Sequence, residues 1–250
     1  MRRLFTILIL FISWGSLSWA GNWEGEGNEH SPYCLKSATD LLQLASDVNE
    51  GIDYKGVHFK MTADIDLASV CGESLGDWPC IGSIDNYFEG LLDGGGNAIR
   101  NLYIQSHGTT YRGLFGYIGP YGKVTRLSVD GMVYSSFWAG IIAGASSGEI
   151  IDCVNAGGKV EAYQYAGGIV GGNFGTVSRC QNKAPISSSL ATGGICGYNY
   201  GGVYYCDNIG DIYGYNAAGG SDGSGMTGPG GWNQGGWGQT GGGNYSLTLK

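Results

Sequence analysis

The sequence predicts an all-β fold, a parallel β-helix (β-solenoid) of 26–28-residue coils with a short N-terminal capping α-helix. Self-similarity is the first observation. Four segments share one pattern: Gly113-Leu-Phe-Gly116, Gly140-Ile-Ile-Ala-Gly144, Gly168-Ile-Val-Gly171 and Gly194-Ile-Cys-Gly197, with first glycines 27, 28 and 26 residues apart. A second short strand follows each one: Lys123–Leu127, Glu149–Cys153, Thr176–Cys180 and Gly202–Cys206. Composition is the third observation. Glycine reaches 49 residues against 5 prolines, with 17 tyrosines and only 14% charged residues, and no three-residue period that would indicate collagen. Tight turns between short strands fit that composition. Two or three strands in so short a unit cannot bury a face alone, so each pairs with its equivalent one coil away.

The elements follow in chain order. Residues 1–20 read as an export signal: Arg2 and Arg3, an apolar run from Leu4 to Ile12, and Ser18-Trp19-Ala20 before Gly21. The apolar run is too short to span a bilayer, so no membrane span is expected after cleavage. Residues 21–216 form the solenoid with its helical cap, and the four repeats occupy 113–216. Ser37, with Asp40 three residues on, starts a helix; Leu41, Leu42, Leu44, Ala45 and Val48 fall on one face, and Gly51 ends it. That helix is placed ahead of the first coil, covering its open edge. Lys60–Leu67 alternates as a strand. Phe88–Ile104 reads as an earlier coil, with Ile99 and Leu102 aligned on Val124 and Leu127. Lys159–Glu161 and Pro185–Ser187 are third strands. Residues 217–250 carry too little apolar side chain for a coil and read as a Gly/Trp-rich flexible tail through which chains could self-associate, with Tyr245–Leu249 able to fold back as a strand.

Stacked coils turn equivalent positions into columns. Leu127, Cys153, Cys180 and Cys206 form one, and leucine in the first place marks it as an apolar packing column, since a free cysteine packs as a small hydrophobe. Asn155, Asn182 and Asn208 stand two residues beyond the cysteines and are expected to stack as an asparagine ladder at a turn. Cys71 and Cys80 bracket an irregular loop and are the disulfide candidate; because seven is an odd number, at least one thiol stays free or pairs between chains.

The coil pattern resembles the GLUG-motif repeat family, whose repeats read Gly-Gly-Leu-Val-Gly-Tyr-Asn, a glycine turn, Thr-Ile and a Cys-Tyr-Asn-like triplet. Gly167-Gly-Ile-Val-Gly-Gly-Asn173 with Thr176-Val-Ser-Arg-Cys-Gln-Asn182 is similar to it, as is Gly193-Gly-Ile-Cys-Gly-Tyr-Asn199 with Cys206-Asp-Asn208. The similarity covers roughly residues 35–215. It implies a right-handed β-helix on secreted or cell-surface bacterial proteins, often adhesin-like, some attached to protease domains. No His-Glu-x-x-His motif is present.

Charge and aromatics narrow the function. Formal net charge is −8, and loss of Arg2 and Arg3 with the leader would make it −10. Such a chain is a poor nucleic-acid binder. Asp64 with Asp66, and Glu89 with Asp93, could serve a glycosidase or hold a structural calcium, but they also suit strand ends and turns; no other metal and no cofactor is expected. His30, His58 and His107 are scattered. Tyr198, Tyr200, Tyr204, Tyr205, Tyr213 and Tyr215 crowd into eighteen residues and would form a surface strip with Tyr163 and Tyr165. Such a strip suits sugar rings or an extracellular protein partner; the same rings could instead pack on one another and protect the coil edges. The expectation is a non-catalytic, secreted or cell-surface binding or adhesion module. Two alternatives stand beside it. One is a polysaccharide-degrading β-helix enzyme using a groove with Arg126 and Arg179. The other is a structural surface or matrix protein assembled through its tail.

Overall fold

The structure, a computed structural model, describes residues 23–105, 110–214 and 217–218. The leader, His107, Tyr215 and the segment 219–250 with Trp232, Trp237 and Tyr245–Leu249 lie outside the described residues. The chain winds into a parallel β-solenoid whose first sheet has seven rungs, Tyr33–Leu35, His58–Met61, Leu91–Asp93, Lys123–Thr125, Glu149–Ile151, Thr176–Ser178 and Gly202–Tyr204. Every strand pair in the four sheets is parallel. From the first sheet each coil enters a second, seen in Ser128–Ser135 and Val154–Ala162. It then crosses a third (Tyr111–Arg112, Trp138–Gly140, Tyr165–Gly167, Ala191–Gly193, Ala217–Ala218) and a fourth (Phe115–Ile118, Ala143–Ser146, Val170–Asn173, Cys196–Asn199) before returning to the first.

Inward side chains fill the coils as continuous columns. Leu92, Val124, Ile150, Val177 and Val203 are paired in register and buried. Burying them on several neighbours at once supplies most of the driving force, because no single coil has a core of its own. At the N-terminal end the core is aromatic: Phe59 packs edge-on against Trp23 and Tyr54, and Phe88 joins Phe59 to Phe115. The helix Ala38–Asn49 lies over this end and buries Leu41, Leu44, Ala45 and Val48. Ser37 caps it by accepting from the Asp40 amide, while Asp40 accepts from the Lys36 amide in return. Gly51 follows with φ +104°.

Several sequence expectations need correction. A rung, Tyr33–Leu35, precedes the helix, so the cap is inserted after the first strand of the first sheet. Lys60–Leu67 is two strands in two sheets, with a corner at Thr62–Asp64. The partner of Val124 is Leu92; Ile99 sits in the second sheet beside Val129, because the glycine turn 94–96 carries the chain around the corner between them. Register also pairs Gly140 with Gly167 and Gly193, one residue ahead of the glycines aligned above, so those coils are 27 and 26 residues long. Ala217–Ala218 pairs with Ala191–Gly193 as a further rung of the third sheet, beyond the expected limit at 216.

The glycine pairs have separate tasks. A Cβ on Gly171 would sit 2.7 Å from the Ala139 nitrogen and 2.9 Å from the Trp138 carbonyl carbon, both backbone atoms of the third sheet one coil back. Gly197 meets the Ala166 backbone in the same way at 2.8 Å. The third and fourth sheets therefore pack backbone against backbone, at a separation no side chain permits. Gly194 leaves room for the side chain of Asn208 in the following coil, and Gly168 does the same for Asn182 while also meeting the Gly194 carbonyl oxygen.

Candidate functional site: an aromatic strip on two sheets

The close approach of the third and fourth sheets decides where aromatic side chains collect. Outward positions of the third sheet carry Tyr111, Trp138, Tyr165 and Ala191 in register, and those of the fourth carry Tyr117, Ala145, Gly172 and Tyr198. With almost no thickness between the sheets, third-sheet rings lean across onto the fourth. The Trp138 indole occupies the space that a side chain at Gly172 would need. Its ring centroid lies 5.8 Å from Tyr111, 5.2 Å from Tyr165, 5.5 Å from Tyr198 and 5.6 Å from Phe174, the last nearly parallel at 29°. Tyr198 meets Tyr165 edge-on at 5.6 Å, and Tyr111 meets Tyr117 at 5.7 Å. Tyr87 extends the line from Tyr117 at 6.2 Å. Such offset and edge-on contacts each contribute about 0.5–1.5 kcal/mol beyond area burial. They also hold the rings rigid, which lowers the ordering cost of binding a partner.

The strip is almost free of formal charge. The described strands of the two sheets carry a single formally charged side chain, Arg112, and its guanidinium lies against the Cys80 thiol. Burial, with Tyr117 alongside, pushes the Tyr111 hydroxyl pKa up, so it stays protonated. The Tyr117 hydroxyl and Ser147 Oγ are hydrogen-bonded at 2.8 Å. Phe174 (41% exposed) and Tyr200 (58%) stand at equivalent turn positions on the rim and are open to solvent.

The structure divides the expected tyrosine strip. Tyr165 and Tyr198 belong to the aromatic strip, Tyr200 borders it, and Tyr163 stands exposed in the turn leading into Tyr165. Tyr204, Tyr205 and Tyr213 do not join them. Tyr204 lies on the first sheet, Tyr205 occupies the corner after it with φ +54°, and Tyr213 lies on a strand of the second sheet with its hydroxyl donating to Asp211. Adjacent sheets face different directions, so closeness in sequence scattered these three. Trp138, Phe174, Tyr111, Tyr117 and Tyr87 were missed. The signal for three strip residues was available, since Tyr111, Trp138 and Tyr165 each stand two residues before a glycine of the repeat.

The remaining candidates occupy structural positions. Leu127, Cys153, Cys180 and Cys206 form a buried column, with the Cys153 amide 3.4 Å from the Cys180 sulfur and the Cys180 amide 3.4 Å from that of Cys206. Contact with Cys153 raises the Cys180 pKa well above the usual thiol range, and contact with Cys180 followed by burial does the same to Cys206. These are neutral packing groups. All seven cysteines are free, and the expected Cys71–Cys80 bridge is not formed. Cys71 faces the carbonyls of Leu67 and Asn101, whereas Cys80 lies by the Trp78 carbonyl and Arg112, so the two thiols are directed to different surroundings.

Asn155, Asn182 and Asn208 are buried, on strands and not at a turn. The Asn182 amide donates to Asn208 Oδ1 at 2.6 Å and to the Ala184 carbonyl, and Asn208 donates to Gly210. Asn155 leaves the ladder and donates to the Gly168 carbonyl, with no hydrogen-bond partner for its Oδ1 among the described residues. The chain turns after Asn182 and Asn208, presenting carbonyls to their amides. After Asn155 it continues as strand to Ala162. A second ladder, Asn173 to Asn199 at 2.7 Å, was not foreseen.

The carboxylates and arginines of the enzyme alternative serve corners. Asp64 accepts from the Ala98 amide and from Arg100, and Asp66 from Asn101 and the Ala68 amide; these bonds hold both below the usual carboxylate range. Arg126 and Arg179 take a left-handed conformation at one outer corner and pair with Asp93 and Asp152. Among the described residues no three His, Cys, Asp or Glu side chains converge as a metal site. His58 begins a first-sheet strand and His30 lies in an N-terminal turn.

Glu89 is buried beside Gly119 and the Tyr87 ring. Burial raises its pKa; Lys55 opposes this and Asp53 adds to it. A raised carboxyl pKa means the folded state holds the proton more tightly than the unfolded chain, so its contribution falls as pH rises from the ordinary glutamate range through the folded value. Glu89→Gln is therefore expected to raise the urea midpoint at neutral pH and to give no advantage in acid, where the carboxyl is protonated in both states.

Fold and site together define a glycine-packed β-solenoid that displays a rigid, uncharged aromatic strip. No family model matches the chain. It is 32% identical over 155 residues to a protein of Evansella cellulosilytica described as a Gly-rich membrane protein, covering 61% of this chain and 17% of that one. It is 31% identical over 155 residues to Halomucin of Haloquadratum walsbyi, covering 60% of this chain and 2% of Halomucin. The chain thus spans less than a fifth of the length of either relative. A crystal structure from Bacteroides ovatus, described as an immunoglobulin A1 protease, superposes with a TM-score of 0.57 at 22% identity, over 76% of this chain and 70% of that one. At that identity the likeness is one of fold. Among the described residues no helix is long and apolar enough to cross a membrane.

Proposed function

We propose that this chain is an exported, surface-associated binding module of the GLUG-like kind, making its contacts through the aromatic strip and performing no chemistry there. The observation that carries the reading is the strip itself: interlocked, partly exposed rings on two sheets whose described strands carry one formal charge. Large uncharged aromatic surface, already rigid, is what a binding face needs and what an acid–base site lacks. The enzyme alternative has less support, because Arg126 and Arg179 are engaged by carboxylates on another side of the coil. The leader-like segment and the relative described as a membrane protein support a place outside the cytoplasm.

The test is affinity electrophoresis of the full chain through a panel of extracellular polysaccharides and extracellular proteins, with new chain ends assayed in the same samples. Retardation without new ends, weakened in a Tyr165→Ala/Tyr198→Ala variant that keeps its circular dichroism, is the expected result. Release of new chain ends would overturn the non-catalytic reading.

A further inference from the structure

The structure also points to a ligand class: we propose that the strip takes an uncharged, extended glycan laid along the solenoid axis, on the Phe174–Tyr200 rim above Trp138. This rests on the binding-module reading and narrows it.

Three features carry the inference. The first is periodicity. Parallel coils repeat about every 4.8 Å, and the rings along the third sheet are spaced 5.8 Å (Tyr111 to Trp138) and 5.2 Å (Trp138 to Tyr165). One pyranose unit adds a comparable length to an extended glycan, so neighbouring sugars fall on neighbouring coils, and the adjacent coils that carry Phe174 and Tyr200 offer a ring to each of two. The second is charge. The chain is acidic as a whole, and among the described residues the strip's two sheets hold one formally charged side chain, Arg112, whose guanidinium contacts the Cys80 sulfur. One guanidinium already held against other groups does not match the repeated charges of a polyuronate, a sulfated glycan, a nucleic acid or an acidic peptide, and desolvating such charges on uncharged rings is unfavourable. The third is the mixture of apolar faces and polar edges. The exposed Phe174 offers a ring face, and the exposed Tyr200 adds a ring with a hydroxyl at its edge that can donate and accept. A sugar ring, with C–H faces and hydroxyl edges, complements that pattern.

Trp138 is a positioning residue in this account. It fills the space over Gly172 and carries Phe174 on its face, leaving Phe174 and Tyr200 as the contact surface.

The probes are β-1,4-linked gluco-oligosaccharides of increasing length and hydroxyethylcellulose, set against polygalacturonate, with isothermal titration of the full chain. Affinity is expected to rise from one sugar to about two, one for each of the coils that carry Phe174 and Tyr200, and then to level off, while polygalacturonate gives no heat. Phe174→Ala and Tyr200→Ala, both at exposed sites that should not disturb folding, are each expected to weaken binding about tenfold, equivalent to roughly 1.4 kcal/mol. Tyr205→Ala, on another side of the coil, should leave it unchanged. Neutral glycans bound equally by the Phe174→Ala and Tyr200→Ala variants, or affinity for polygalacturonate at least equal to that for the neutral chain, would overturn the proposal. Strip-dependent binding of a protein in place of any glycan would overturn the ligand class while preserving the binding module. Absence of any strip-dependent binding would remove both.

Discussion

Gly171→Val is expected to destabilise the protein by about 3 kcal/mol or more, read as a lower urea midpoint, and to abolish strip-dependent binding at the same time. Even a Cβ at this position would lie 2.6 Å from the Gly144 oxygen, 2.7 Å from the Ala139 nitrogen and 2.9 Å from the Trp138 carbonyl carbon. All three are backbone atoms held in sheet ladders, so they cannot rotate aside as the end of a flexible side chain would. Relief requires the third and fourth sheets to separate over at least two coils. That movement also displaces Trp138, on which Phe174 and Tyr198 pack. Gly157→Ala is the matched control. A Cβ there meets nothing within 4 Å, and the position needs no left-handed backbone. Its replacement should be neutral or stabilise by up to about 1 kcal/mol through the unfolded chain. Equal stability of the Gly171 variant and the parent would show that the two sheets are not locked by backbone contact.

Asn182→Ala should cost about 2–3 kcal/mol, and Asn155→Ala only about 1 kcal/mol, although both side chains are fully buried and stand at the same place in the repeat. Asn182 donates to Asn208 Oδ1 and to the Ala184 carbonyl, and its own oxygen accepts from the Ala184 amide at 3.3 Å. Truncation leaves those buried groups without their partner in a space sealed by Gly168. Asn155 donates once, to Gly168, and its buried Oδ1 lacks a partner among the described residues, so its removal also takes away an unsatisfied acceptor. Chemical denaturation of the two variants at one pH decides the matter. A loss at Asn155 as large as that at Asn182 would mean that ladder position, and not the hydrogen bonds, sets the cost.

The repeat was legible because a solenoid writes its geometry into the sequence. A 26- or 27-residue period of Gly-hydrophobic-hydrophobic-Gly segments and β-branched strands requires neighbours to bury it, and a helix with Ser37, Asp40 and Gly51 at its ends has its stop signals in local residues. The column Leu127, Cys153, Cys180, Cys206 followed from the same period, because side chains at equal phase must share one side of the coil. What spacing could not settle was a shift of a single residue. Gly167 and Gly168 are adjacent and identical, and only strand register shows that the first meets backbone alone while the second faces both the Gly194 oxygen and the side chain of Asn182.

The sequence by itself determined the all-β solenoid, its N-terminal helix and the buried columns, since each follows from local preference repeated at a fixed period. Beyond the periodic Tyr111, Trp138 and Tyr165, tertiary structure decided which aromatics share a surface. Tyr204, Tyr205 and Tyr213 are near Tyr198 in sequence but lie around corners that turn them to other sides, whereas Tyr87, Trp138 and Tyr198 come from three different coils and meet along one line of rings. The reason is the thickness of the glycine contact between the third and fourth sheets. It is fixed by backbone atoms from adjacent coils, and it allows rings of one sheet to rest on the next.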